Sequence, residues 1–314
     1  VASVLFIAPA DLGETVLATG ALAHLLHEGA AVTVVCDPAA RDLFRSIPGL
    51  ALLRTWDGGA DLGFWADLTW TSVARPFDVL LDLRRTAAAL VVSAKRRFVR
   101  ATPQVLQHVV EELGALLDAQ RALAPRLWLD ADARKTAAEI AADGAALLVL
   151  APGGVDAAKR WPRERFAAVA RRLADGALAG ARIVVIGAAA RDADTTRAVV
   201  SSLDADGVAA IDLGQGPDLL AAAALMERAT LCIGNDNALT HVAAAMGAPT
   251  LTLFGPTDER VRAPYGPRTR TLRGRSFAEA ASLAALDAGV AMEDVSIDAV
   301  EAAALDLLHA GGLR

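Results

Sequence analysis

At 314 residues, the chain is about twice the roughly 150 residues of a typical domain, and its 54% hydrophobic and 22% charged content excludes a disordered or collagen-like polymer. A net charge of -6 argues against a general nucleic-acid binder and leaves room for a local basic patch. Two domains, each with its own core, are therefore expected.

From the N-terminus, no basic segment precedes the first apolar run and Asp11 interrupts it, so the start does not read as a signal peptide. Residues 3–8, 32–36, 51–54 and 78–83 read as strands of a first sheet, joined by helices. The clearest helix covers 14–27, where Leu17, Ala21, Leu22 and Leu25 share a face. Before it stands Pro9-Ala10-Asp11-Leu12-Gly13-Glu14, with one glycine where a dinucleotide fingerprint needs three, so no nicotinamide site is read. Asp11 and Glu14 either favour the helix start electrostatically or belong to a site, because ligands of open parallel sheets gather beyond the carboxyl ends of the strands. Arg84 and Arg85, then Lys95, Arg96, Arg97 and Arg100, form a basic run expected at strand ends; it is a solvated face or an anion site.

The pattern weakens near residues 124–126 and restarts with strands at 147–150, 182–186, 230–233 and 250–254. Helices are expected near 163–174, 218–228, 238–246 and, last, 297–309. The division is placed as 1–130, 131–292 and a terminal helical piece at 293–314. Cys36 and Cys232 lie in strand-like runs as small hydrophobes, which predicts no disulfide and a reducing compartment. The five His show no zinc spacing. Residues 237–257 lack formal charge, yet His241 and Gly247-Ala248-Pro249 make them helix, turn and strand rather than a membrane span.

Two loops of the second half carry the polar chemistry. Ala151-Pro152-Gly153-Gly154 permits close backbone approach, and Lys159 is one of three lysines among 31 basic residues. The loop binds phosphate, or Lys159 and Arg160 are solvated around a Trp161 anchor. Asn235, Asp236 and Asn237 then interrupt an apolar run ahead of His241, and capping accounts for one of the three. With residues 254–258 ending the next strand, they describe one wall of a pocket.

"LGETVLATGAL", "APGG" with "KRWPRERFAAVARRL", and "IGNDNALTHVAAAMGAPTLTLFGPTDERVRAPYG" resemble, in order and at similar spacing, glycosyltransferase family 9, the ADP-heptose:lipopolysaccharide heptosyltransferases and their relatives. "LLDLRRT" and "SAKRRF" are weaker matches, and the likeness covers nearly the whole chain. The resemblance implies an α/β chain of two Rossmann-like domains facing across a cleft, the GT-B architecture, with acceptor on the first domain, donor on the second, and the last helix packing back toward the first.

It also implies an inverting, metal-independent transfer without cofactor from a nucleotide diphosphate sugar, ADP-linked, to a hydroxyl of a lipopolysaccharide core or other cell-envelope glycan. Glu14 is then the expected base and Asp11 the reserve. Donor contacts fall on Gly153, Gly154, Lys159, Asp236, Asn237, Ala238, His241 and Thr257, and acceptor contacts on Gly13, Arg84, Arg85, Lys95, Arg96 and Arg97. Expected partners are the sugar nucleotide and an anionic glycolipid or glycan, with no nucleic acid, in a bacterial cytoplasm with peripheral contact at the inner membrane. The chain departs from the family with Glu14 for Asp, Ala238 for Gly and Gly20 for Pro. These departures leave two alternatives: a non-catalytic nucleotide-sugar-binding relative, or a GT-B epimerase or hydrolase.

Overall fold

The computed structural model describes residues 2–102, 105–141, 144–287 and 292–311. The chain divides into two compact units, Val1–Trp128 and Leu129–Arg314.

The first unit runs β1 (Ser3–Ile7), α1 (Leu12–Leu25), β2 (Ala31–Cys36), β3 (Leu50–Thr55), α2 (Leu62–Ala74), β4 (Phe77–Asp82), α3 (Ala88–Val91), β5 (Ala94–Val99) and α4 (Val109–Leu116). Its five strands are parallel in the order β3-β2-β1-β4-β5. β1 and β2 are almost wholly buried, as strands covered by helices on both faces should be. α1 is cut close to its neighbours at Gly20, where an added Cβ would stand 2.2 Å from the Leu123 carbonyl oxygen.

β5 is absent from the sequence expectation. Its AKRRFV sequence is an edge strand with three successive cations, a composition that disguises a strand while guarding an open edge.

The second unit runs α5 (Ala131–Ala141), β6 (Leu147–Ala151), α6 (Arg163–Asp175), β7 (Arg182–Ile186), α7 (Ala193–Ala205), β8 (Ala210–Leu213), α8 (Leu219–Glu227), β9 (Leu231–Asn235), α9 (Ala238–Ala245), β10 (Thr250–Leu253), α10 (Glu259–Arg262), β11 (Thr269–Leu272), α11 (Phe277–Leu286) and α12 (Ile297–Ala310). The parallel order is β11-β10-β9-β6-β7-β8. Both sheets thus share the doubly wound order, and the strand order reverses between β1 and β4 in one and between β6 and β9 in the other.

The resemblance has α12 packing toward the first domain. Its apolar stripe of Val300, Ala303, Ala304, Leu307 and Leu308 lies in the second unit's core with Leu148, Phe166 and Leu253, against α6 and the strands β9, β10 and β11. Among the described residues no helix is long and apolar enough to cross a membrane. Cys36 and Cys232 are free and buried, and burial pushes both thiols up to about 12.

Candidate functional site

In the second unit, β6 and β9 end side by side at the switch point, and two asparagines fasten their loops. Asn235 donates through Nδ2 to the Pro152 carbonyl at 2.7 Å, and its Oδ1 accepts from the Trp161 amide at 3.0 Å. Asn237 caps α9, accepting from the Leu239 and Thr240 amides, while its Nδ2 donates to the carbonyls of Ala151 and Gly153 at 3.0 Å each. The side-chain amide and carbonyl of Asn237 are therefore engaged in holding the loop. Ala238, the first residue of α9, follows directly.

Asp236 stands between these two clamps and gathers the charge. Its Oδ2 accepts from Lys159 Nζ at 2.8 Å and from Thr257 Oγ1 at 2.7 Å. His241 Nε2 lies 3.8 Å from its Oδ1, too far for a direct hydrogen bond. Burial works to raise the Asp236 carboxyl, but His241 and the Lys159 ammonium outweigh it and hold the group well below the usual carboxylate range. His241 is 4% exposed, and its Nδ1 has no hydrogen-bond partner among the described residues. Such a buried polar atom is poised to meet a ligand or a water.

Gly153 and Gly154 line the same loop, and the residue that demands a glycine there is Asp192. A Cβ on Gly153 would come within 2.4 Å of the Asp192 carboxyl carbon. That buried carboxylate accepts from the amides of Gly154 (3.3 Å) and Ala188 (3.0 Å), tying the loops after β6 and β7 together. On the other side, Arg273 donates to the carbonyls of Gly255 and Thr257 and pairs with Glu259, fixing the loop that carries Thr257.

In the first unit, Asp11 is the N-cap of α1, its Oδ1 accepting from the Glu14 amide at 2.9 Å. Glu14 lies in the first turn beside Gly13, 8% exposed, with Oε2 3.3 Å from Arg100 Nη1. Arg100 is gripped by Glu112 through Nε and Nη2, both at 2.8 Å, and this paired contact above all raises the guanidinium further. Two carboxylates and one arginine thus meet beyond the ends of β1 and β5. At the end of β4, Asp82 accepts from the Arg84 amide and from the amide and hydroxyl of Thr86, shaping that loop. Arg84 lies over the Trp56 ring at 4.5 Å, and Arg85 holds a left-handed backbone, φ 57°, while donating to Thr102.

The basic run requires a correction, because Lys95, Arg96 and Arg97 lie inside β5 rather than at its carboxyl end. Lys95 pairs at 2.6 Å with Asp78, which also accepts from the Ser3 amide, at the starts of β4 and β1 and so at the opposite end of the strands from Glu14. Arg96 stacks on Phe98, and Arg97 donates to the carbonyls of Ala89 and Val92 at α3. Of the basic residues singled out from sequence, Arg84, Arg85 and Arg100 lie near the carboxyl ends of the strands.

Asp82, Glu112, Asp192 and Arg273 were not singled out from sequence. An aspartate closing an apolar run was a readable signal for Asp82; the other three each hold a partner 12 to 38 residues away.

A family model described as glycosyltransferase family 9 (heptosyltransferase) matches residues 77–288. Lipopolysaccharide heptosyltransferase 2 of Escherichia coli K12 is 30% identical over 117 residues, a stretch covering 37% of this chain and only 32% of that relative. The solved E. coli ADP-heptose heptosyltransferase II superposes with a TM-score of 0.78 at 19% identity, over 98% of this chain and 99% of that one. An E. coli heptosyltransferase solved with ADP gives a TM-score of 0.70 at 18% identity, over 97% and 99% of the two chains. At these identities the structural likeness speaks for the fold: two Rossmann-like α/β units of the GT-B class.

Proposed function

The chain belongs to glycosyltransferase family 9, and from that membership we propose that it transfers a heptose or related sugar from a nucleotide diphosphate sugar to a hydroxyl of a lipopolysaccharide core or other cell-envelope glycan. ADP is the first nucleotide to test, since a solved relative of the same fold holds it. The observation that carries the reading is the cluster of buried Asp236 and His241 with half-buried Lys159 and Thr257 at the switch point of the second sheet, where open parallel sheets bind nucleotides.

In this reading the acceptor hydroxyl gives its proton to Glu14 as its oxygen bonds the anomeric carbon. The bond from that carbon to the diphosphate oxygen breaks, the electron pair leaves with the nucleoside diphosphate, and configuration inverts. Lys159 and Thr257 meet the charge developing on the leaving group. Arg100, anchored by Glu112, positions Glu14. The side chain of Glu14 is one methylene longer than aspartate, and the Arg100 contact fixes where that longer arm ends. Arg84 and Arg85, just beyond the end of β4, are in this reading the acceptor-side cations for an anionic group. The reading asks for no metal ion or cofactor and places the protein at the cytoplasmic face of a bacterial inner membrane.

The test is nucleoside diphosphate release from ADP-heptose with and without a lipopolysaccharide-core acceptor. Release that requires acceptor supports transfer. Release without acceptor makes the protein a hydrolase, and binding of ADP-heptose with no release under either condition makes it a binding protein.

A further inference from the structure

A helix on a protein surface normally turns a polar side to water. α2 does not. It buries Leu68 and Ser72 and half-buries Phe64 and Trp65 toward the first unit's core, while Leu62, Ala66, Trp70 and Val73 recur three or four residues apart on the outer side. Its one charged residue is Asp67. Beside it α3 adds Leu90 and Val91, and the two helices are stitched where Ser93 donates its amide to Ser72 Oγ at 2.9 Å. Leu62, Trp70, Val73, Leu90 and Val91 are 52% to 85% exposed, a cluster of large apolar side chains with no role in the site described above.

Cations border this face. Residues 75–100 contain seven Lys or Arg and two acidic residues. Arg75 follows α2 directly, Arg85 stands exposed just ahead of α3, and Arg97 reaches α3 with hydrogen bonds of 2.8 and 2.6 Å to its carbonyls. Two copies joined through the same face would set these cations against one another. An anionic, apolar-cored partner satisfies both features at once.

We propose that the α2–α3 face is a docking surface for a lipid bilayer carrying anionic headgroups. Trp70, Leu62, Val73, Leu90 and Val91 enter the headgroup and upper acyl region, where an indole ring is well suited, and the surrounding arginines meet the lipid phosphates. This deepens the membrane-side placement given above, yet it requires neither donor nor glycan, so vesicles free of both test it separately from transfer.

The experiment is sedimentation of the full chain with vesicles of phosphatidylcholine alone and of equal parts phosphatidylcholine and phosphatidylglycerol. The wild type is expected to bind the anionic vesicles more tightly, and Trp70→Ser with Val73→Ser to weaken that binding at least about tenfold, as loss of buried apolar area requires. Arg75→Gln is expected to cost about fivefold on anionic vesicles and nothing on neutral ones, and Trp70→Phe to keep most of the wild-type binding. All three positions are exposed, so unchanged circular dichroism should accompany each variant. Failure of the wild type to bind anionic vesicles overturns the proposal, as does binding indifferent to the double substitution. A concentration-dependent dimer abolished by that substitution, without vesicle binding, assigns the face to self-association instead.

Discussion

Asp236 is a carboxylate taken almost wholly out of water, and the groups around it decide its chemistry. Its native pKa lies below the unfolded value of about 3.9, so its pairing stabilises the fold fully above that value and the contribution is lost as pH falls through the lower native pKa. Urea unfolding of wild type and Asp236→Asn should show a stability gap that is constant above about pH 4 and narrows below it; a gap untouched by acid would refute the ion-pair account. Removing the partner is worse than removing the charge. Lys159→Met leaves a buried carboxylate short of its cation and is expected to destabilise by roughly 2–4 kcal/mol, measured by the same unfolding. Glu14→Gln keeps size and burial while abolishing proton acceptance, so turnover should fall about 10²–10⁴-fold in a variant whose circular dichroism shows the fold retained. Near-normal turnover would dismiss Glu14 as the base.

Among the elements, the loops at the switch points are fixed by partners that lie far away in sequence. Gly153→Ala drives a methyl into Asp192 and should cost about 1–3 kcal/mol while weakening nucleotide binding. Asp192→Ala added to it should recover part of that loss, and strict additivity of the two would show that they do not interact. The central strands were legible from sequence because covered parallel strands are continuous apolar runs. The edge strands β5, β8 and β11 were not, since each is short or mixes polar residues into a half-exposed edge. The polar break at residues 235–237 was legible as a site, but its division of labour was not. Which of three adjacent polar residues clamps, caps or carries charge depends on the pleat and on the carbonyls across the sheet. Lys95, Arg96 and Arg97 were misplaced for the same reason, because an unrecognised strand conceals which end its residues occupy.

For the whole molecule, two units of the same doubly wound order carry different chemistry at the same topological position. The first presents carboxylates and arginines after β1, β4 and β5; the second presents glycines, a lysine and a buried aspartate after β6, β9 and β10. Nucleotide alone should therefore slow amide exchange in the second unit, around residues 151–159, 235–241 and 255–257, and leave residues 9–14 and 82–86 unchanged. Protection in the first unit alone would invert the assignment.

The measurement that bears most directly on this division is calorimetric titration of ADP, UDP, GDP and CMP into the wild type and into folded Asp236→Ala. One nucleoside diphosphate should bind the wild type clearly and the variant weakly, its base identifying the donors to try. Absence of binding by all four, or binding that ignores Asp236, would contradict a nucleotide-sugar site built on the Lys159, Asp236 and Thr257 cluster.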